Sequence, residues 1–234
     1  MPSSDPPTLN QPTVPAAYLL LLLADGRLPT GAHTQSGGVE PAFDSGMRLD
    51  QIPAYLTVRM ATVTELEAAI AVVARYVWLT TSQHRRAQAL TEVDAAWRVR
   101  TVSDALRAAS DLLGRGYRRL AGSLWSLDLD EAVVMGRPVV VGATAAAAGL
   151  SAVDTARLVG FDDVQTVIAA ALKIRPFDPS TGVRWAAAAG ADVEQMVSRV
   201  AHLRSIDQVP AHSAPLIESW GQAHQQTERR LYRA

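Results

Sequence analysis

The chain contains no cysteine. Disulfides, thiolate metal sites and a cysteine nucleophile are therefore excluded. The fold has to rest on packing, and a reducing, cytoplasmic setting is expected. Neither sign of charge is in excess: 22 Lys and Arg stand against 23 Asp and Glu, a net charge of −1. Non-specific nucleic-acid binding needs clustered cations that displace counterions from phosphates. The best cluster, Arg115, Arg118 and Arg119, reads more simply as a solvated helix face. Long apolar runs are missing as well. The run at 18–24 falls far short of the ~20 residues that span a bilayer, and 138–150 has the length of a core helix. The N-terminus has no basic segment of the signal-peptide kind; Asp5 is its only charge before Asp25. Neither a nucleic acid nor a membrane is an expected partner.

Catalytic patterns are scarce too. The five histidines, His33, His84, His202, His212 and His224, are never paired at i,i+3 or i,i+4, so a stable metal cage is not indicated. His33 lies in a glycine-rich stretch; the simplest reading is a loop histidine hydrogen-bonded to backbone, with a transient metal role the alternative. The segment 30–38 lacks the Gly-Lys-Ser/Thr of a phosphate-binding loop. Asp162-Asp163 begins like the Asp-Asp-x-x-Asp magnesium site of prenyl-diphosphate enzymes, but Thr166 replaces the third acid. Two solvated or first-turn acids are the better reading, with a helical metal-dependent enzyme using Asp162 and Asp163 the alternative. Glu40, Glu65 and Glu67 could pair in space, yet helices of every class carry such glutamates. The chain is not expected to be an enzyme or to hold a stable cofactor.

What is present is helix pattern. Residues 1–15 carry five prolines and form a flexible or extended lead-in. A helix begins near Ala16 and ends before Asp25-Gly26, and a short one runs from Ser36 or Gly38 to Asp44. From Asp50 a long-period stripe passes through Ile52, Tyr55, Leu56, Arg59, Met60, Val63, Leu66, Glu67, Ile70, Val73 and Val77. Further helices are expected over 83–98 and from 103 to 114 or 120, where Gly114-x-Gly116 weakens the end, with an uncertain segment at 124–129. Residues 139–149 read as a tightly packed small-residue helix. A buried strand at 138–141 is the alternative, disfavoured because no partner strand is visible. Ser151-x-x-Asp154 has capping-box spacing ahead of a helix to about Lys173, followed by helices over 182–203 and 215–231. The expectation is an all-α irregular bundle of about nine or ten helices. Residues 16–224 would form a single all-helical domain and 225–234 a partner-binding tail. Trp220, Arg230 and Tyr232 are of the types that dominate interfaces, although a terminal helix packed on its own domain would use them equally well.

The least packing-like stretch is Leu28-Pro29-Thr30-Gly31-Ala32-His33-Thr34-Gln35-Ser36-Gly37-Gly38-Val39-Glu40. It resembles the signature of the urease accessory protein F family, Leu-Pro-x-Gly-Gly-Phe-Ser-x-Ser-x-Gly-Leu-Glu. Further motifs follow in the same order. Leu113-Gly114-Arg115 is similar to Met-Gly-Arg, and 137–143 to x-Pro-Val-Val-x-Gly-Ala. Residues 171–176 resemble Ala-Val-Arg-Leu-x-Pro, and 224–233 resemble His-Glu-x-x-x-x-Arg-Leu-Phe-x. His33 stands where the family usually has Phe, Gln35 where it often has Tyr, and Gln225 where Glu is common. The resemblance implies an all-α accessory protein that dimerises. It would join the D/H-type accessory protein and the nickel-carrying G-type GTPase, dock on apo-urease, and regulate when hydrolysis releases nickel; the metal is handled by the complex. It also implies partner-binding roles for His33, Glu40, His224, Arg230 and Tyr232, the last three facing the D/H-type partner.

Overall fold

A computed structural model of the chain describes residues 14–125, 127, 129, 133–212, 214–225 and 231–232, with backbone alone at 224 and 225. The proline-rich lead-in up to residue 13 and Arg230 lie outside the described residues. Ten α-helices are present among those described: α1 (Ala16–Leu23), α2 (Val39–Asp44), α3 (Ile52–Met60), α4 (Val63–Thr80), α5 (Gln83–Arg100), α6 (Asp104–Trp125), α7 (Arg137–Ala147), α8 (Ala152–Ile174), α9 (Pro179–Val200) and α10 (Pro215–Gln225). No strand occurs among them. The protein is a single all-α domain, as its patterning requires.

Helices α4, α7 and α8 form the centre. Every residue of α7 from Pro138 to Ala146 is buried. The triple valine that could have made a strand is therefore helical, since α4 and α6 supply its packing surface. Its small residues bring backbones close: a Cβ on Gly142 would lie 2.3 Å from the Ala71 carbonyl oxygen of α4. Around this centre α5 lies on α4, α6 on α7, α9 on α8, and α10 on α6 and α2.

Three local differences from the sequence pattern have physical causes. The stripe beginning at Ile52 is two helices, because Thr62 leaves the helical region (φ −136°, ψ −100°). Its hydroxyl donates to the Val58 carbonyl at 2.7 Å, the local competition with backbone bonding that threonine brings. Helix α6 continues through Gly114 and Gly116 to Trp125. Both glycines mark close contacts, since a Cβ would meet Met135 O at 2.2 Å and Thr30 O at 2.0 Å. The last helix is described only to Gln225, and Leu231 and Tyr232 are not helical. At the start of α8, the Ser151 hydroxyl accepts from the Asp154 amide at 3.0 Å and donates to the Asp154 carboxylate at 2.6 Å. This is half of the expected box, closed through the hydroxyl rather than the Ser151 amide.

Candidate functional site

The glycine-rich stretch is a loop pinned on three sides. Thr30 rests against Gly116 of α6, where only a glycine leaves room. Gly37 and Gly38 both take positive φ, 59° and 78°, a region that costs L-residues with a Cβ. That turn leaves the Gly37 carbonyl accepting from Tyr55 Oη at 2.8 Å and from Arg59 Nη1 at 2.9 Å. Arg59 also donates through Nε and Nη2 to both oxygens of Asp163, at 2.8 and 2.5 Å. Thr64 adds a third bond to that carboxylate at 2.8 Å. The loop is thereby tied through α3 to the middle of α8.

A second buried ion cluster adjoins the first. Arg137, at the start of α7, donates through Nε to Glu67 at 3.1 Å and through Nη1 to Asp162 at 2.6 Å. Asp162 and Asp163 are thus held by different arginines inside the fold. They are neither solvated nor in a first turn, and they do not converge as a shared metal site. Their electrostatics differ in sign. Burial pushes Asp162 above the usual carboxylate range, and Arg137 only partly offsets it. Burial acts on Asp163 too, but the Arg59 charge and its hydrogen bonds outweigh it and leave that pKa lowered. Glu65 pairs with Arg199 of α9 at 2.8 Å, so the three glutamates of the sequence do not meet.

Glu40, in the first turn of α2, is buried, 6% exposed. Its two carboxylate oxygens accept the backbone amides of Leu231 at 2.6 Å and Tyr232 at 2.9 Å. The Tyr232 side chain is likewise 6% exposed, and Lys173 Nζ stands 4.9 Å from its ring centroid, within cation–π range. Burial, together with the Glu40 carboxylate, pushes the Tyr232 hydroxyl above its ordinary pKa. Beside this anchor runs a groove of about 570 Å³ between the loop and α8, lined among others by Asp25, His33, Gln35, Phe161, Lys173 and Tyr232.

Of the residues nominated from sequence, Glu40 and Tyr232 are joined directly, and His33 faces the same groove as Tyr232. His33 is exposed, and among the described residues its imidazole makes no hydrogen bond, so the backbone-bonded histidine expected from its loop position is not what is found. His224 lies on α10, and Arg230 is outside the described residues. Sequence reasoning missed the parts played by Arg59, Arg137 and Lys173, and took Asp163 for a solvated acid. A signal existed for both clusters, because Arg59 of the first and Glu67 of the second fall on the apolar stripe, where an unpaired charge would be costly. Of the basic trio, Arg115 and Arg119 are exposed, but Arg118 is buried and donates to the Val133 carbonyl at 2.5 Å. That trio is therefore not one solvated face. Among the described residues no group of three His, Asp or Glu is placed to hold a metal ion, and no helix is long and apolar enough to cross a membrane.

The fold and the groove define an all-α protein with a clamped glycine-rich loop docked beside its own C-terminal segment. The chain belongs to the UreF family: the UreF family model matches residues 49–190. It is similar to a urease accessory protein UreF of Mycobacterium sp. (strain JLS), 36% identical over 227 residues, covering 91% of this chain and 96% of that protein. A urease accessory protein UreF of Mycolicibacterium vanbaalenii is 33% identical over 218 residues, with 91% and 96% covered. One from Mycobacterium tuberculosis is 41% identical over 109 residues, 46% of this chain and 47% of that protein.

Proposed function

We propose that the chain is a non-catalytic scaffold of urease maturation. It joins a D/H-type accessory protein and a G-type GTPase, works as a homodimer in the cytoplasm, presents the assembly to apo-urease and regulates when the GTPase releases nickel. Nickel is the cargo of the complex, not a resident cofactor of this chain. Family membership supports the setting, since the relatives are named as urease accessory proteins.

The observation that carries the reading is the bond between Glu40 and the tail. Glu40 closes the signature loop, and its carboxylate holds the backbone of Leu231 and Tyr232. A partner that draws the tail away removes two backbone donors from a buried carboxylate, which is unfavourable until the loop rearranges. Occupancy of one contact surface is thereby felt at another, as regulation by a scaffold requires. The buried carboxylates fit the same reading, being held by arginines, amides and a hydroxyl.

Co-expression of the full chain with the two accessory proteins and urease tests this. Size-exclusion chromatography should return a complex, and nickel analysis should show metal in urease only when the chain is present. Normal urease nickel without the chain, or no complex with either accessory protein, would refute the proposal.

A further inference from the structure

The bonds from the Leu231 and Tyr232 amides to Glu40 read no side chain. A carboxylate accepts the amides of any two successive residues presented to it, so these bonds by themselves leave the register of the tail open. The neighbours would bring very different groups to the same place, since Arg229 and Arg230 come before and Arg233 after. Three observations show what selects the register. First, the two bound residues are not held alike: Leu231 is 63% exposed and Tyr232 is 6% exposed, so of the two only the Tyr232 side chain is seated on the fold. Second, its ring is seated against a cation, Lys173 Nζ, 4.9 Å from the ring centroid. Among the described residues that ammonium makes no ion pair; Asp25 and Asp162 of the same groove are held by Arg27 and Arg137. Third, Lys173 is the only lysine of the chain, and Tyr232 is the only Phe, Trp or Tyr after Trp220.

We propose that Lys173 is a positioning residue that sets the register of the C-terminal tail. It stands in the last turn of α8, where the helix dipole favours a cation, and the rigid helix fixes its backbone. A slip of one residue brings either Arg233 or Leu231 to the place of Tyr232. The first sets like charges together, and the second offers the ammonium no π face. The observed register alone gives Glu40 its two amides and Lys173 an aromatic ring. Lys173 therefore acts through Tyr232, and decides which tail side chains are left at the surface, Leu231 among them. The consequence for complex formation rests on the scaffold reading above; the register itself does not.

The test is site-resolved hydrogen exchange by NMR on the full chain. In the parent, protection within the tail should peak at the Leu231 and Tyr232 amides. Lys173→Met should lower it there by about two- to fivefold, the range of an exposed cation–π contact, and raise it at a neighbouring tail amide, leaving Tm in place. Lys173→Arg keeps a cation for the ring and should restore the parent pattern. Tyr232→Leu should also lose the register, and adding Lys173→Met to it should change little further, because both remove one contact. Unchanged protection in Lys173→Met, no restoration by Lys173→Arg, or fully additive effects in the double variant would each overturn the proposal. Binding of the same variants to the D/H-type protein is a separate arm. If the parent chain forms no complex, the scaffold reading fails, and the exchange pattern still decides the register.

Discussion

Glu40 and Tyr232 stand 192 positions apart in sequence, yet the carboxylate of one accepts the backbone amide of the other at 2.9 Å. With the Leu231 amide also bound, one acidic side chain fastens the end of the chain to the start of α2. Recognition is of backbone rather than side chain, so the bond sets where the tail lies without depending on which residue follows.

Glu40→Gln should loosen that attachment. Hydrogen bonds to a charged group contribute about 1.5–3 kcal/mol, so hydrogen exchange at the Leu231 and Tyr232 amides should accelerate by roughly tenfold or more. The melting temperature should move little, because neither residue belongs to the central helices. Unchanged exchange at both amides would refute the role given to Glu40.

Deleting residues 226–234 should leave far-UV circular dichroism nearly unchanged, since all ten described helices remain, yet weaken complex formation with the D/H-type partner. A collapse of helicity would instead make the tail a structural part of the domain.

Asp163→Ala should be among the most damaging substitutions. It leaves Arg59 buried without its partner, and breaking a buried pair costs about 3–5 kcal/mol. Replacing both members with apolar residues, Arg59→Met with Asp163→Leu, should recover much of that loss in a denaturant titration. A double variant as unstable as the single one would show that the pair's worth lies in specific geometry rather than in charge compensation.

The two neighbouring acids should oppose each other in their dependence on pH. Asp163 has a lowered folded pKa, so its contribution is present above the unfolded-chain value of about 3.9 and is lost as pH falls through the depressed folded value. Asp162 has a raised folded pKa. Its contribution favours the fold below the unfolded value and is lost as pH rises through the folded one. Asp163→Asn should therefore flatten the acid limb of the stability profile, and Asp162→Asn should improve stability most at neutral pH relative to acid. Parallel profiles for the two variants would contradict the assignment.

Gly116→Ala should displace the signature loop. The added Cβ would fall 2.0 Å from the Thr30 carbonyl oxygen, a backbone atom that cannot simply rotate away. A loss of about 1–3 kcal/mol is expected from overpacking, with faster hydrogen exchange across residues 28–38. An unperturbed loop would mean that Thr30 is not packed on α6 as found.

Helix positions were largely legible from the sequence because the apolar period and the Pro and Gly stops are local properties. The break at Thr62 was not legible, since Ile52 to Val77 keeps one stripe across it and only packing fixes where a threonine hydroxyl takes a carbonyl. Gly114 and Gly116 looked like an ending because glycine weakens an isolated helix; within the bundle they are where α6 receives other backbone. At the site, the loop residues stood out by composition, whereas Arg59 and Glu67, charges on a core stripe, were a signal that the periodicity reading passed over. Asp162 and Asp163 were misread as solvated, because their arginines lie on α7 and α3, far away in sequence.

Sequence alone fixed the all-α class, the family and the place of the glycine-rich loop, since these follow from residue types at short spacing. Only the tertiary structure decided that the loop is clamped by Arg59, that adjacent aspartates serve different arginines, and that the chain end closes on Glu40. Each of those is a pairing between distant segments. Its energy comes from removing charge and backbone donors from water together, a condition that exists only once the helices have packed.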